Sequence, residues 1–194
     1  MWLIFHILFR IRCEGKENLD IKKGFIICSN HRSLSDPIML AISTPQKIFF
    51  MAKSELFDMH GRLFSSFIRA CGAFPVRRDC ADKTSVEDAE YLLHNGCIVG
   101  IFPQGKIVKD CESLKIKSGA AMLSISSNTP VVPAAIVYDG SLRLFKRVTV
   151  RFGTPIEPQY ACDKYTKNRQ YKQLTMLIKA EMEELLYLSK KNNI

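Results

Sequence analysis

Closely spaced cysteine pairs are absent from this chain: its seven cysteines, Cys13, Cys28, Cys71, Cys80, Cys97, Cys111 and Cys162, are odd in number and never form Cys-x-x-Cys. Neither a zinc pattern nor a closed disulfide framework is written there, and a reducing, cytoplasmic setting is expected. Of the four histidines, His6, His60 and His94 have no His or Cys at ligand spacing, so no metal is expected. Long apolar runs are missing as well. The segment Met1–Phe9, followed by Arg10 and Arg12, falls short of the about 20 residues that span a bilayer, and it lacks the basic start and cleavage site of a signal peptide. No internal repeat, low-complexity tract or linker interrupts the chain. Acidic residues are in deficit, with 19 Asp and Glu against 28 Lys and Arg, which leaves a net charge of +9. Such an excess calls for an anionic partner: a phosphorylated substrate, an anionic membrane surface, an acidic carrier protein or a nucleic acid. No nucleic-acid motif accompanies the charge, so nucleic acid is not expected.

What is present suffices for one core. A chain of 194 residues with 47% hydrophobic residues predicts a single domain, here residues 10–194. Residues 1–9, with Trp2 and Phe5 beside Arg10, suit an interfacial membrane anchor or an amphipathic helix packed on that domain. Short β-branched runs predict strands at 11–13, 25–28, 47–51, 73–76, 97–102, 131–137 and 148–152. Helical patterns predict helices at 37–43, 56–70, 84–94, 118–127 and 163–189. This alternation predicts an α/β single layered domain with a largely parallel sheet of about seven strands flanked by helices. In such a sheet ligands sit beyond the carboxyl ends of the strands.

Three strand ends carry chemistry. The first is Asn30-His31-Arg32-Ser33-Leu34-Ser35-Asp36, which follows an apolar run and sets an imidazole and a carboxylate five positions apart. Histidine titrates near neutrality, at about 6.5, and a carboxylate on one ring nitrogen orients the other as a proton acceptor. On a regular helix that offset puts the two side chains on different faces, so a turn at Ser33 to Ser35 must bring them together. Asp36 before Pro37 also suits a helix N-cap. The second strand end brings Arg77 and Arg78, whose guanidinium forks match phosphate oxygens, and Lys53 after another strand adds a cation. The third is Phe102-Pro103-Gln104-Gly105-Lys106, a turn exposing an amide and an ammonium, ahead of the basic loop Lys109, Lys115 and Lys117. That loop leads to Ser118-Gly119-Ala120, where free helix N–H groups suit an anion.

These ordered blocks resemble the glycerophospholipid acyltransferase family, and within it the small bacterial 1-acyl-sn-glycerol-3-phosphate acyltransferases, over roughly Gly15 to Gly153. The resemblance implies an acyltransferase domain in which His31 is the base and Asp36 its orienter. It implies that Arg78 holds the acceptor phosphate and that the Val132-Pro133 strand is structural. The third block departs from the family's Phe-Pro-Glu-Gly-Thr-Arg: Gln104 stands for Glu, Lys106 for Thr and Ile107 for Arg. Lys106 or Lys53 is then expected to supply the missing charge, with Gln104 and Gly105 as the supporting loop. The implied reaction moves a fatty acyl group from an acyl carrier protein or coenzyme A thioester to a lysophospholipid hydroxyl, without a cofactor. The implied place is the cytoplasmic face of the membrane, held peripherally or monotopically on anionic lipids. Acylation of glycerol 3-phosphate or another lysolipid, or a catalytically weak lipid-binding role, are the competing readings.

Overall fold

The structure is a computed structural model that describes residues 10–53, 66, 72–76, 83–108, 114–138, 147–160 and 166–191. Its strands are β1 (Arg10–Glu14), β2 (Phe25–Ser29), β3 (Ile48–Lys53), β4 (Ala73–Val76), β5 (Ile98–Ile101), β6 (Val131–Tyr138) and β7 (Arg147–Phe152). The helices are α1 (Asp36–Ser43), α2 (Lys83–His94), α3 (Gly119–Ser127) and α4 (Lys167–Lys191), with 3-10 turns at Lys16–Leu19 and Pro158–Tyr160. Each expected strand has its counterpart, displaced by one or two residues at most ends. The predicted helix at 56–70 and the apolar segment 1–9 lie outside the described residues.

All seven strands form one sheet in the order β1-β7-β6-β2-β5-β3-β4. Only the β6–β7 pair is antiparallel; the other neighbours run parallel. Strand β2 sits at the centre, hydrogen-bonded to β5 on one side and β6 on the other, and every one of its residues is fully buried. That burial explains why Phe25-Ile26-Ile27-Cys28 reads as an unbroken apolar run instead of an alternating one.

Alternate residues of β2 feed two cores, one on each face of the sheet. Phe25 and Ile27 pack with Met39 and Leu40 of α1. Ile26 and Cys28 pack with Ala89 and Leu93 of α2, Ala120 and Leu123 of α3, and Leu174, Ile178 and Met182 of α4. The chain leaving β2 thus crosses over by α1 on one face, while the chain leaving β5 crosses by α3 on the other. The parallel strands β6, β2 and β5 therefore open a crevice at their shared carboxyl edge, where neighbouring connections diverge to opposite faces. Strands β3 and β4 end at the same edge, at Lys53 and Val76.

Candidate active site

Three adjacent strand ends build the crevice: Asn30 and His31 follow β2, Phe102 and Gln104 follow β5, and Tyr138 closes β6. Asn30 sets the first orientation. Its side-chain amide donates to the carbonyl of Ile136 at 3.0 Å while its oxygen accepts the N–H of Ile136 at 2.7 Å, extending the β2–β6 ladder one step past the strand. This buried amide imitates a backbone partner and leaves His31 pointing out of the sheet.

After His31 the backbone turns. The Ser33 and Ser35 hydroxyls lie 2.8 Å apart, and Asp36 N–H donates to the Ser33 carbonyl at 3.1 Å. The turn brings Asp36 Oδ2 to 2.8 Å from His31 Nδ1. The same oxygen accepts the backbone N–H of Arg32 at 2.6 Å and of Ser33 at 2.8 Å. Tyr138 donates its hydroxyl to Oδ1. Asp36 is fully buried, and these four donors replace the water it has lost. The N-cap expected at Asp36 is not what forms. Ser35 occupies the cap position without a side-chain cap bond, and Asp36 is the first helical residue. Its carboxylate reaches back to the preceding turn because two amides and an imidazole there outcompete the helix's own N–H groups.

Chemistry fixes the tautomer. An ionised carboxylate only accepts, so the proton between them sits on Nδ1, and Nε2 keeps its lone pair. The His31 side chain retains 17% exposure, so the imidazole is not sealed from solvent. A neighbour that cannot hydrogen-bond holds the ring: Phe102 stacks on it with centroids 4.2 Å apart and planes at 20°. Behind Phe102 lies Phe50, at 5.9 Å and 8°. Gly100 permits this stack, because a Cβ there would lie 2.5 Å from the Phe50 ring.

The loop after β5 grips the main chain of His31 at both ends. Gln104 Oε1 accepts the His31 N–H at 2.7 Å, and Val108 N–H donates to the His31 carbonyl at 2.8 Å. Gly105 turns this loop with φ 72°, a conformation that an L side chain strains, and its N–H donates to Phe102 O at 3.0 Å. The neutral amide at 104 thus acts as an acceptor for which no charge is needed. Lys106 stands exposed on the same loop.

The expected convergence holds for the His31 segment and for the loop carrying Gln104 and Gly105. Arg78 lies outside the described residues, as does the Lys53 side chain, although β3 delivers the Lys53 backbone to the crevice edge. Sequence reading placed Asn30 and Phe102 in the motif blocks without a role, and missed Tyr138. Tyr138 is 102 residues from Asp36 and bears no local signal. Burial foremost, then the charge of Asp36 and the hydrogen bond given to it, push the Tyr138 hydroxyl's pKa well above its ordinary value, so it stays protonated as a donor. Burial likewise raises the Cys28 thiol far from reactivity. Among the described residues no group of three or more His, Cys, Asp or Glu is placed to hold a metal. No helix among them is long and apolar enough to cross a membrane.

A groove of about 440 Å³ adjoins the crevice. Met51, Ile101, Phe102, Met122, Leu123 and Tyr171 line it, with Gly105 and Lys117 also on its wall. Phe102 is shared: it is among the groove's lining residues, and its ring stacks on the imidazole.

A family model described as Acyltransferase matches residues 10–137. The 1-acyl-sn-glycerol-3-phosphate acyltransferase of Bacillus subtilis is 36% identical over 141 residues, covering 71% of this chain and 68% of that protein. The protein of the same name from Streptococcus pneumoniae is 31% identical over 142 residues, and there the match covers 70% of this chain and 51% of the relative. The crystal structure of the 1-acyl-sn-glycerophosphate (LPA) acyltransferase PlsC from Thermotoga maritima superposes with a TM-score of 0.65 at 25% identity, over 90% of this chain and 71% of that one. With the His31–Asp36 pair inside the matched span, the chain belongs to the acyltransferase family and is similar, within it, to the 1-acyl-sn-glycerol-3-phosphate acyltransferases.

Proposed function

We propose that the protein transfers a fatty acyl group from a thioester to the free hydroxyl of 1-acyl-sn-glycerol 3-phosphate, giving phosphatidic acid. The observation that carries this reading is the contact of His31 Nδ1 with Asp36 Oδ2 at 2.8 Å, in which the carboxylate is itself held by three further donors. His31 Nε2 takes the proton of the acceptor hydroxyl as its oxygen attacks the thioester carbonyl. Asp36 stabilises the imidazolium that results. The tetrahedral oxyanion collapses, the C–S bond breaks, and the departing thiolate takes the proton back from Nε2. No covalent enzyme intermediate is needed, and the buried Cys28 thiol is unsuited to forming one.

The apolar groove beside Phe102 is the place for an acyl chain, since its lining is largely aliphatic and aromatic and it reaches the residue on which the imidazole rests. The acceptor phosphate is assigned to cations named by the resemblance: Arg78, with Lys106 or Lys53 in place of the family's second Arg. Carrier-protein and coenzyme A thioesters are both candidate donors. The protein works at the cytoplasmic face of the membrane, where residues 1–9 and the basic surface meet anionic lipid.

The test is acyl transfer to a panel of lysolipids and glycerol 3-phosphate, from both thioesters, by wild type and His31→Ala. Loss of at least about a thousandfold in kcat with unchanged circular dichroism is expected, in line with removal of a general base that also orients the reaction. Equal activity in the variant would refute the role of His31. A higher rate on glycerol 3-phosphate than on any lysolipid would reassign the acceptor.

A further inference from the structure

Beside the acyl groove lies a second depression of about 430 Å³, between the segment leading into α3 and the first half of α4. Ile116, Ser118, Met122, Tyr171, Lys172 and Met176 are among its lining residues. It shares Met122 and Tyr171 with the groove, so the two cavities adjoin. Met122 is 46% exposed and Met176 63%, an apolar surface that α4 itself does not bury. Lys172 lines it and Lys117 lines the adjoining groove, while Lys115 and Lys167 are exposed and next in sequence to the lining residues Ile116 and Asn168.

The charge order of this region runs against the needs of the folded chain alone. A helix N-terminus carries partial positive charge, so acidic residues there stabilise it and cations cost about 0.3 to 1 kcal/mol each. Helix α4 begins at Lys167, adds Lys172, and has no acidic residue in its first turn. Its Glu181, Glu183 and Glu184 all fall in the second half. Helix α3 also lacks an acidic residue in its first turn and follows Lys115 and Lys117. Two helix N-termini and four lysines thus accumulate positive charge around a depression with an apolar wall. An anionic partner with an apolar centre would complement both features.

We propose that this depression docks an acidic carrier protein that presents the acyl thioester, with Met122 and Met176 seating an apolar helix face and Lys117, Lys167 and Lys172 meeting its carboxylates. The inference rests on the acyl-transfer reading above for the identity of the cargo. A carrier fits better than a lipid surface because the site is concave and carries hydroxyls and an amide, from Ser118, Thr175 and Asn168, at positions that a bilayer plane would leave unfilled. Exposed methionines adapt their shape to a partner's side chains. Because Met122 and Tyr171 line both cavities, a carrier docked in the depression would sit directly beside the acyl groove.

The experiment uses the full chain and the double variant Lys167→Glu/Lys172→Glu. Fluorescence anisotropy of a labelled apo acyl carrier protein reads docking without turnover; steady-state kinetics with carrier and coenzyme A thioesters of one chain length read its consequence. Expected are at least tenfold weaker carrier binding, a carrier-thioester KM raised to match, coenzyme A kinetics within twofold of wild type, and salt sensitivity of carrier binding confined to wild type. Carrier affinity equal in both proteins would overturn the proposal. So would equal losses with the two donors, or loss of binding to phosphatidylglycerol–phosphatidylcholine vesicles with carrier affinity unchanged, which would assign the surface to the membrane. If wild type binds carrier in the expected charge-dependent way but acylates nothing, docking stands and the acyl-transfer reading fails separately.

Discussion

Replacing Tyr138 by Phe removes one buried hydroxyl, and its effect should appear in stability, in rate and in pH dependence together. The hydroxyl donates to Asp36 Oδ1, and the Asp36 side chain is wholly shielded from water. Hydrogen bonds to charged groups contribute about 1.5 to 3 kcal/mol. Oδ2 keeps its three donors in the variant, so the lower part of that range, about 2 kcal/mol, is expected at neutral pH. For a domain of this size that corresponds to a Tm lower by about 4 to 8 °C. Because the carboxylate loses the anchor opposite its imidazole contact, kcat should fall about tenfold with KM within twofold.

The pH dependence supplies the sign test. Folding raises the Tyr138 pKa above the ordinary 10.0. The folded state therefore holds this proton more tightly than the unfolded chain does. Its stabilisation is complete below pH about 10 and is lost as pH rises further, at about 1.4 kcal/mol per unit. Urea unfolding at pH 8 and pH 11 should show the wild type's advantage over Tyr138→Phe shrinking by about 1 kcal/mol or more. An equal gap at both values, or a variant with wild-type kcat, would refute the assignment of Tyr138 as the group that positions Asp36.

Gln104→Ala takes the acceptor from the His31 N–H and should lower kcat by about three- to tenfold, while Gln104→Glu, which keeps an oxygen in place, should restore most of it; wild-type kcat in the alanine variant would remove the loop from the positioning of His31. Under native conditions at pH 8, iodoacetamide should leave Cys28 unmodified and label it only in denaturant, because burial both shields the thiol and raises its pKa, whereas half-buried Cys13 and Cys97 should react sooner. Labelling of Cys28 at the rate of Cys13, followed by peptide mass spectrometry, would contradict the closed packing of β2.

The local pattern of the chain determined its elements and its layer class. Apolar β-branched runs separated by amphipathic stretches admit few solutions besides a sheet covered by helices, and parallel strands of such a sheet must send their carboxyl ends to one edge. His31 was legible for that reason: it follows an unbroken apolar run and precedes a turn written in serines. The turn at Gln104 and Gly105 was legible too, but as an anion-holding loop; that the Gln104 amide instead accepts the His31 N–H was not.

Contacts between residues far apart in sequence were decided only by the tertiary fold. Strand order is not encoded by periodicity, and it is the order β6-β2-β5 that sets Tyr138 against Asp36, Asn30 against Ile136 and Phe102 under His31. Asp36 shows the difference at a single residue. Its sequence context, before Pro37, suits a helix cap, yet the fold supplies it with two turn amides, an imidazole and a phenol from another strand. A fully buried carboxylate binds where most donors converge, and the number of donors that reach a point in space is a property of the packed sheet, which no stretch of sequence contains.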